Sequence, residues 1–166
     1  MRRWLKFNLK TLFLAVLVAA VAAMAFERYW VTRPLVWQPF SAKARDDALA
    51  SGKLVLIIFT AGWDFESAKL DQAFANSAEL RSLIRRHGIV TIEADYTRQT
   101  RPIANEVIRV YGQEVVPVLA VYRPDKPDAP YFAGYVVEEV DLLEILRRAL
   151  AAEPAPAGNS FLPKAD

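Results

Sequence analysis

The sequence predicts an α/β domain, a mixed central sheet with helices on both faces, set behind an apolar N-terminal helix. Three observations predict it. The run Lys53 to Ala61 is continuously apolar and β-branched after its first residue, the pattern of a central strand buried on both sides. From Ser41 to Leu150, segments with helical periodicity alternate with segments of strand composition. The last two strand candidates are separated only by a short polar stretch, so they should pair as a hairpin and add antiparallel neighbours to an otherwise alternating order.

The N-terminus carries Arg2, Arg3, Lys6 and Lys10, and the sixteen residues from Thr11 to Phe26 bear no charge. As a helix that run reaches roughly 24 Å, a little under a hydrocarbon core of about 30 Å. Trp4, Leu5, Phe7 and Leu9 before it, and Tyr29 and Trp30 after it, are placed to lengthen it and to anchor it at the interfaces. Residues 1–10 then read as a basic cytoplasmic tail and 11–30 as a single-pass transmembrane anchor. The positive charge ahead of the span places the N-terminus in the cytoplasm and the domain outside it, in the periplasm. The alternative is a signal peptide cleaved after Ala23 to Ala25, which would release a secreted domain. The anchor is preferred because the apolar run exceeds a usual signal core and aromatic residues follow it directly. Either way the domain is exported.

Residues 31–152 form the expected domain. A short extended stretch from Pro34 leads to a helix capped by Ser41, with Ala44, Ala48 and Leu49 on one side and Gly52 as its stop. After the central strand, Asp64 is a candidate N-cap for a long helix with Phe65, Leu70 and Phe74 apolar. A further cap at Asn76 or Ser77 renews the signal through Leu80, Leu83 and Ile84 to Gly88. Ile89 to Tyr96 reads as a strand. A helix follows, with Pro102 in its first turn and Gly112 at its end. Val115 to Pro124 and Pro130 to Val136 read as the hairpin strands, with Asp125 to Ala129 as their turn. Glu138 to Ala152 is an amphipathic helix whose acidic first turn and late Arg147 and Arg148 suit its dipole. Residues 153–166 read as a disordered tail.

Composition excludes several chemistries. There is no cysteine, so disulfides, thiolate metal sites and thiol nucleophiles are absent. Four of the 21 basic residues fall in the first ten positions and leave the remainder slightly acidic, which gives no footprint for nucleic acid. No glycine-rich phosphate loop is present. Ser67 has no neighbouring histidine to act as base, and the single histidine, His87, sits before Gly88 at a helix end and reads as a surface residue. Glu93 and Asp95 share one face of a strand and, with Asp64 and Glu66, raise the question of an oxygen-ligand metal site. Solvated strand-end acids are the preferred reading, and no metal or cofactor is expected.

Four pieces in order carry a resemblance: "WQPFS" from Trp37, "GKLVLIIFTAGW" from Gly52, "ADYT" from Ala94, and "YGQEVVPVLAVY" from Tyr111. Over roughly Trp37 to Leu150 the chain resembles the thioredoxin-like superfamily, and within it the exported C-terminal thioredoxin-like domain of the thiol:disulfide interchange protein DsbD family. In that family Cys-x-x-Cys follows the tryptophan at once. Here Asp64 and Ser67 stand at the two cysteine positions after Trp63, and Ile58 stands where a buried acid is often found. Thiol exchange needs a thiolate to attack and a second thiol to resolve, and neither a carboxylate nor a hydroxyl serves. The resemblance also implies a cis bond between Val116 and Pro117, with Val116 able to pair with an extended peptide.

The expected function is therefore a redox-inactive, membrane-anchored thioredoxin-like domain that is not an enzyme. It would bind an extended protein segment through Trp63, Asp64, Phe65, Val116 and Pro117. One alternative is an accessory component of a thiol-disulfide pathway, acting with a cysteine-containing partner. Another is a purely structural element, in which Asp64 is no more than a helix cap.

Overall fold

The computed structural model describes residues 9–98, 100–112, 115–134 and 138–151, with only the backbone for residues 9, 27, 30–32 and 110–111. The chain divides into two units, Met1–Arg33 and Pro34–Asp166.

The first unit contains helix α1, Leu9–Thr32, whose apolar side chains Phe13, Val16, Met24 and Phe26 are exposed. Among the described residues no helix is long and apolar enough to cross a membrane, so the expected span is not supported there. Trp4, Leu5 and Phe7, expected to extend it, lie outside the described residues, as do most of the basic tail, the side chain of Trp30 and the C-terminal tail. Near the end of α1 the Arg33 guanidinium lies 4.4 Å over the Tyr29 ring and donates to its hydroxyl.

In the second unit, strands β1 (Gln38–Pro39), β2 (Val55–Thr60), β3 (Val90–Asp95), β4 (Val118–Arg123) and β5 (Lys126–Gly134) form one sheet. Its order is β1-β3-β2-β4-β5, with β1, β3 and β2 parallel and the last two antiparallel. The predicted mixed α/β layer is the one found. Helices α2 (Ala42–Ala50) and α5 (Arg101–Tyr111) pack on one face, and α3 (Phe65–Asn76), α4 (Ala78–Arg86) and α6 (Glu139–Leu150) on the other.

Strand alternation explains the two cores. Val55, Ile57 and Phe59 point to the α2/α5 face with Val118, Ala120 and Tyr122. Leu56 and Ile58 point the other way with Leu119 and Val121, beneath Leu70, Phe74, Leu80 and Leu146. All of β2 is buried, because it is the middle strand and is covered on both faces. Each such aliphatic side chain contributes about 1.5 to 3 kcal/mol of burial.

Local chemistry sets the ends. Ser41 caps α2 by accepting from the Ala44 N–H at 3.0 Å, and α5 stops at Gly112, whose φ of +84° is the left-handed conformation glycine tolerates. The expected long helix is two helices. Ser77 leaves helical geometry and caps α4 through the Leu80 N–H at 3.0 Å, so the chain bends there. The expected hairpin turn also needs correction, since β5 begins at Lys126 and only Pro124 and Asp125 turn. β5 is an edge strand, where Pro127 and Pro130 are tolerated because half of the backbone groups face no neighbour. Arg123 tightens this turn, donating from Nε to Asp125 Oδ1 at 2.8 Å. Tyr135 and Val136, expected to end the strand, lie outside the described residues.

Candidate functional site

The predicted site lies where β2 hands over to α3. A parallel strand running into a helix N-terminus brings backbone N–H groups and a positive dipole end to the sheet edge. The turn Ala61 to Asp64 is held from two sides. Asp64 N–H donates to the Ala61 carbonyl at 3.0 Å, and Gly62 N–H donates to Thr97 Oγ1 at 2.8 Å. A Cβ at Gly62 would meet Thr97 Oγ1 at 3.3 Å, so the close approach of the two loops favours glycine. Thr97 is fixed in turn by its N–H donating to Asp95 Oδ1 at 2.8 Å. Hydrogen bonds from the Thr97 side chain and backbone hold the Asp95 carboxyl below its usual range.

Asp64 is the N-cap of α3. Its Oδ2 accepts from the Ser67 N–H at 2.6 Å and from the Ser67 hydroxyl at 2.7 Å. The Ser67 oxygen, on a residue only 2% exposed, accepts from the Ala61 N–H at 3.1 Å. The two positions that the resemblance assigns to cysteines are thus bonded to each other. The serine is committed as both donor and acceptor, and no imidazole stands by to take its proton. Neither residue is set up as a nucleophile.

Beside this closed cap, two large rings face water. Trp63 is 60% exposed and Phe65 72% exposed, although each lies next to a residue that is tied down. Lys69 Nζ sits 4.7 Å over the Phe65 ring and 2.8 Å from Glu66 Oε1, which tethers the first turn of α3 without covering the ring. Across the sheet order, β4 flanks β2 on one side, and its N-terminal lead contains Val116 and Pro117, both buried and joined by a cis peptide. β3 flanks β2 on the other side, where Glu93 pairs in register with Ile58.

The acids of the candidate metal site are only partly assembled. Asp64, Glu93 and Asp95 line one cleft of about 200 Å3, while Glu66 pairs with Lys69 instead. Asp64 and Asp95 are engaged by the turn. Among the described residues no group of three or more His, Cys, Asp or Glu could hold a metal ion. His87 closes α4 as its C-cap and is exposed. Two features of the site escaped sequence reasoning: Thr97 as the clamp on Gly62, and Asp71, which lines the cleft with Glu93. Helical periodicity held the only signal for Asp71, one turn beyond Ser67 on α3.

A family described as Thioredoxin-like matches residues 36–124, just over half of the chain. The chain belongs to the Thioredoxin-like family. Solved structures agree on the thioredoxin-like fold. A chloroplastic thioredoxin z is 12% identical with a TM-score of 0.54, over 72% of this chain and 98% of that one. Trxlp from Edwardsiella tarda is 19% identical with a TM-score of 0.50, over 67% of this chain and 98% of its own. A DsbH oxidoreductase is 17% identical with a TM-score of 0.54, over 72% and 86% of the two chains. At these identities the likeness is one of fold. No curated protein sequence matches the chain. In this thioredoxin-like domain the strand-to-helix turn carries Asp64 and Ser67, and the sequence contains no cysteine.

Proposed function

We propose that this thioredoxin-like domain is a redox-inactive binding module that holds an extended segment of another protein against Trp63 and Phe65, with Asp64, Val116 and Pro117 framing the surface. The observation that carries the reading is the pair of exposed rings at the head of α3. Large apolar rings left in water beside a rigid, hydrogen-bonded turn are what a preformed recognition surface offers, and Trp is enriched among residues that dominate binding energy. Redox inactivity is supported by the missing sulfur, since exchange needs an attacking thiolate and a resolving thiol. The same absence, with Ser67 buried and Asp64 capping, favours a non-enzymatic role. Within the family, the motifs around Trp37, Trp63 and Pro117 favour kinship with the DsbD C-terminal domain.

We further propose that α1, with the residues before it, anchors the domain to a membrane with the N-terminus cytoplasmic. Support comes from the basic residues ahead of an uncharged run within α1, Thr11 to Phe26, a composition suited to lipid. Alkaline carbonate extraction tests the anchor: the full chain should stay with the membrane pellet, and release into the supernatant would contradict anchoring.

The binding role is tested by chemical crosslinking in cells that express the wild type or Trp63→Ala/Phe65→Ala, followed by purification and mass spectrometry. A discrete partner should be depleted at least about fivefold from the variant while its thermal midpoint stays unchanged, because both rings are exposed. Equal recovery from both proteins would overturn the reading.

A further inference from the structure

On the β3 flank of the same turn lies a groove that the aromatic rim does not explain. The cleft of about 200 Å3 adjoins a second hollow of about 240 Å3, and Asp71 and Glu93 line both. The far hollow has an apolar wall of Leu35, Trp37 and Phe74, with the Trp37 and Phe74 rings meeting edge to face at 5.3 Å. The two form one groove, apolar at one end, acidic at its waist, and bounded at the other end by Gly62 and Asp64.

The acidic waist is uncompensated. Asp64 and Asp95 are engaged in the turn. Among the described residues, the side-chain carboxylates of Asp71 and Glu93 have no hydrogen-bond or ion-pair partner, and no basic side chain lines either hollow. Partial burial and the nearby charge of Glu93 raise the Asp71 carboxyl above its usual range. Elsewhere in the domain, a carboxylate buried more deeply than exposed Asp71 or half-buried Glu93 is matched. Glu106 receives Arg45, Arg109 and Tyr122. A pair of acids placed together on a partly apolar wall calls for a cation from outside, one with an apolar stem.

We propose that this groove docks a lysine or arginine side chain from the partner protein, its charged head between Asp71 and Glu93 and its stem or an adjoining apolar residue on Trp37 and Phe74. The proposal rests on the reading of the Trp63–Phe65 rim as a binding surface and adds the chemistry of what is bound. A partner on that rim is next to the mouth of the groove, because Asp64 belongs to both and Gly62, which also lines the cleft, directly precedes Trp63.

The test uses the full-length protein in detergent and fluorescein-labelled extended peptides of alternating threonine and valine, with a central arginine, glutamine or glutamate. Anisotropy titrations at low salt should show the arginine peptide binding about tenfold more tightly than the glutamine peptide, with glutamate weakest. That preference should vanish in Asp71→Asn/Glu93→Gln and shrink at about 0.5 M salt, where screening is strong. Trp63→Ala should weaken all peptides by a common factor. Equal binding of the arginine and glutamine peptides to the wild type would overturn the inference and leave the rim intact. An arginine preference that survives in the double variant would also overturn it. Binding of no peptide would overturn both readings together. Unchanged thermal midpoints keep the variants comparable.

Discussion

At Asp64 a single carboxylate oxygen accepts from both the Ser67 N–H and the Ser67 hydroxyl, while the serine oxygen accepts from Ala61. The cap therefore ties the last turn of the strand to the first turn of the helix. Asp64→Ala should cost about 1 to 2 kcal/mol, from a lost cap and a stranded buried hydroxyl. Asp64→Asn should recover most of that, and urea unfolding of both variants measures it. Asp71 behaves in the opposite sense. Burial and Glu93 raise its carboxyl, so the folded state binds its proton more readily than the unfolded one, and its contribution to stability falls as pH rises through the raised value. Asp71→Asn should therefore raise the thermal midpoint slightly at pH 7 and lose that advantage below about pH 4. A lower midpoint at neutral pH would contradict the unpaired state of the groove.

At the scale of elements, the caps at Ser41 and Ser77, the left-handed Gly112 and the continuous apolar β2 were all legible, because each depends on neighbours in sequence. The features that sequence concealed depend on pairing. Thr97 reaches Gly62 only because β3 lies beside β2, and the hairpin turn shortened because β5 sits at an edge where proline is permitted. The uncharged run of α1 was equally plain in the sequence. Between α2, α5 and β4 another concealed arrangement appears. Glu106 Oε1 accepts from Arg45 at 2.5 Å, Arg109 at 2.6 Å and the Tyr122 hydroxyl at 2.6 Å. Removing the carboxylate by Glu106→Ala takes away the acceptor shared by two guanidinium groups and a buried phenol, and leaves Arg45 with Asp46 and Arg109 with the Tyr122 hydroxyl alone. The cost should be about 3 kcal/mol or more, read by chemical denaturation. The network joins two helices to the sheet on the face away from the acidic groove, so peptide binding should be unaffected in the folded variant.

For the whole molecule, acid sensitivity follows from the same groups. Burial alone would raise the Glu106 carboxyl, but hydrogen bonds from Arg109 and Tyr122 and the charge of Arg45 outweigh it and hold it below the ordinary value of 4.5. Its stabilisation is therefore fully present above that pH and is lost as the pH falls through the lowered value. Asp95, also depressed, adds an effect of the same sign. Midpoints followed from pH 7 downward should decline below about pH 4.5, with a shallower decline in Glu106→Gln. Function sits at the opposite end of this scale. The domain is fully buried along β2 and exposes the Trp63 and Phe65 rings just beyond its end, where the proposed binding surface lies. The measurement that tests this account most directly is photo-crosslinking from Phe65 in the intact protein in cells, with Trp63→Ala as control and a second probe at His87. The account predicts a discrete adduct from Phe65 that is lost in Trp63→Ala and absent from His87. No specific adduct from Phe65 in a folded protein, or the same adduct from both probes, would contradict it.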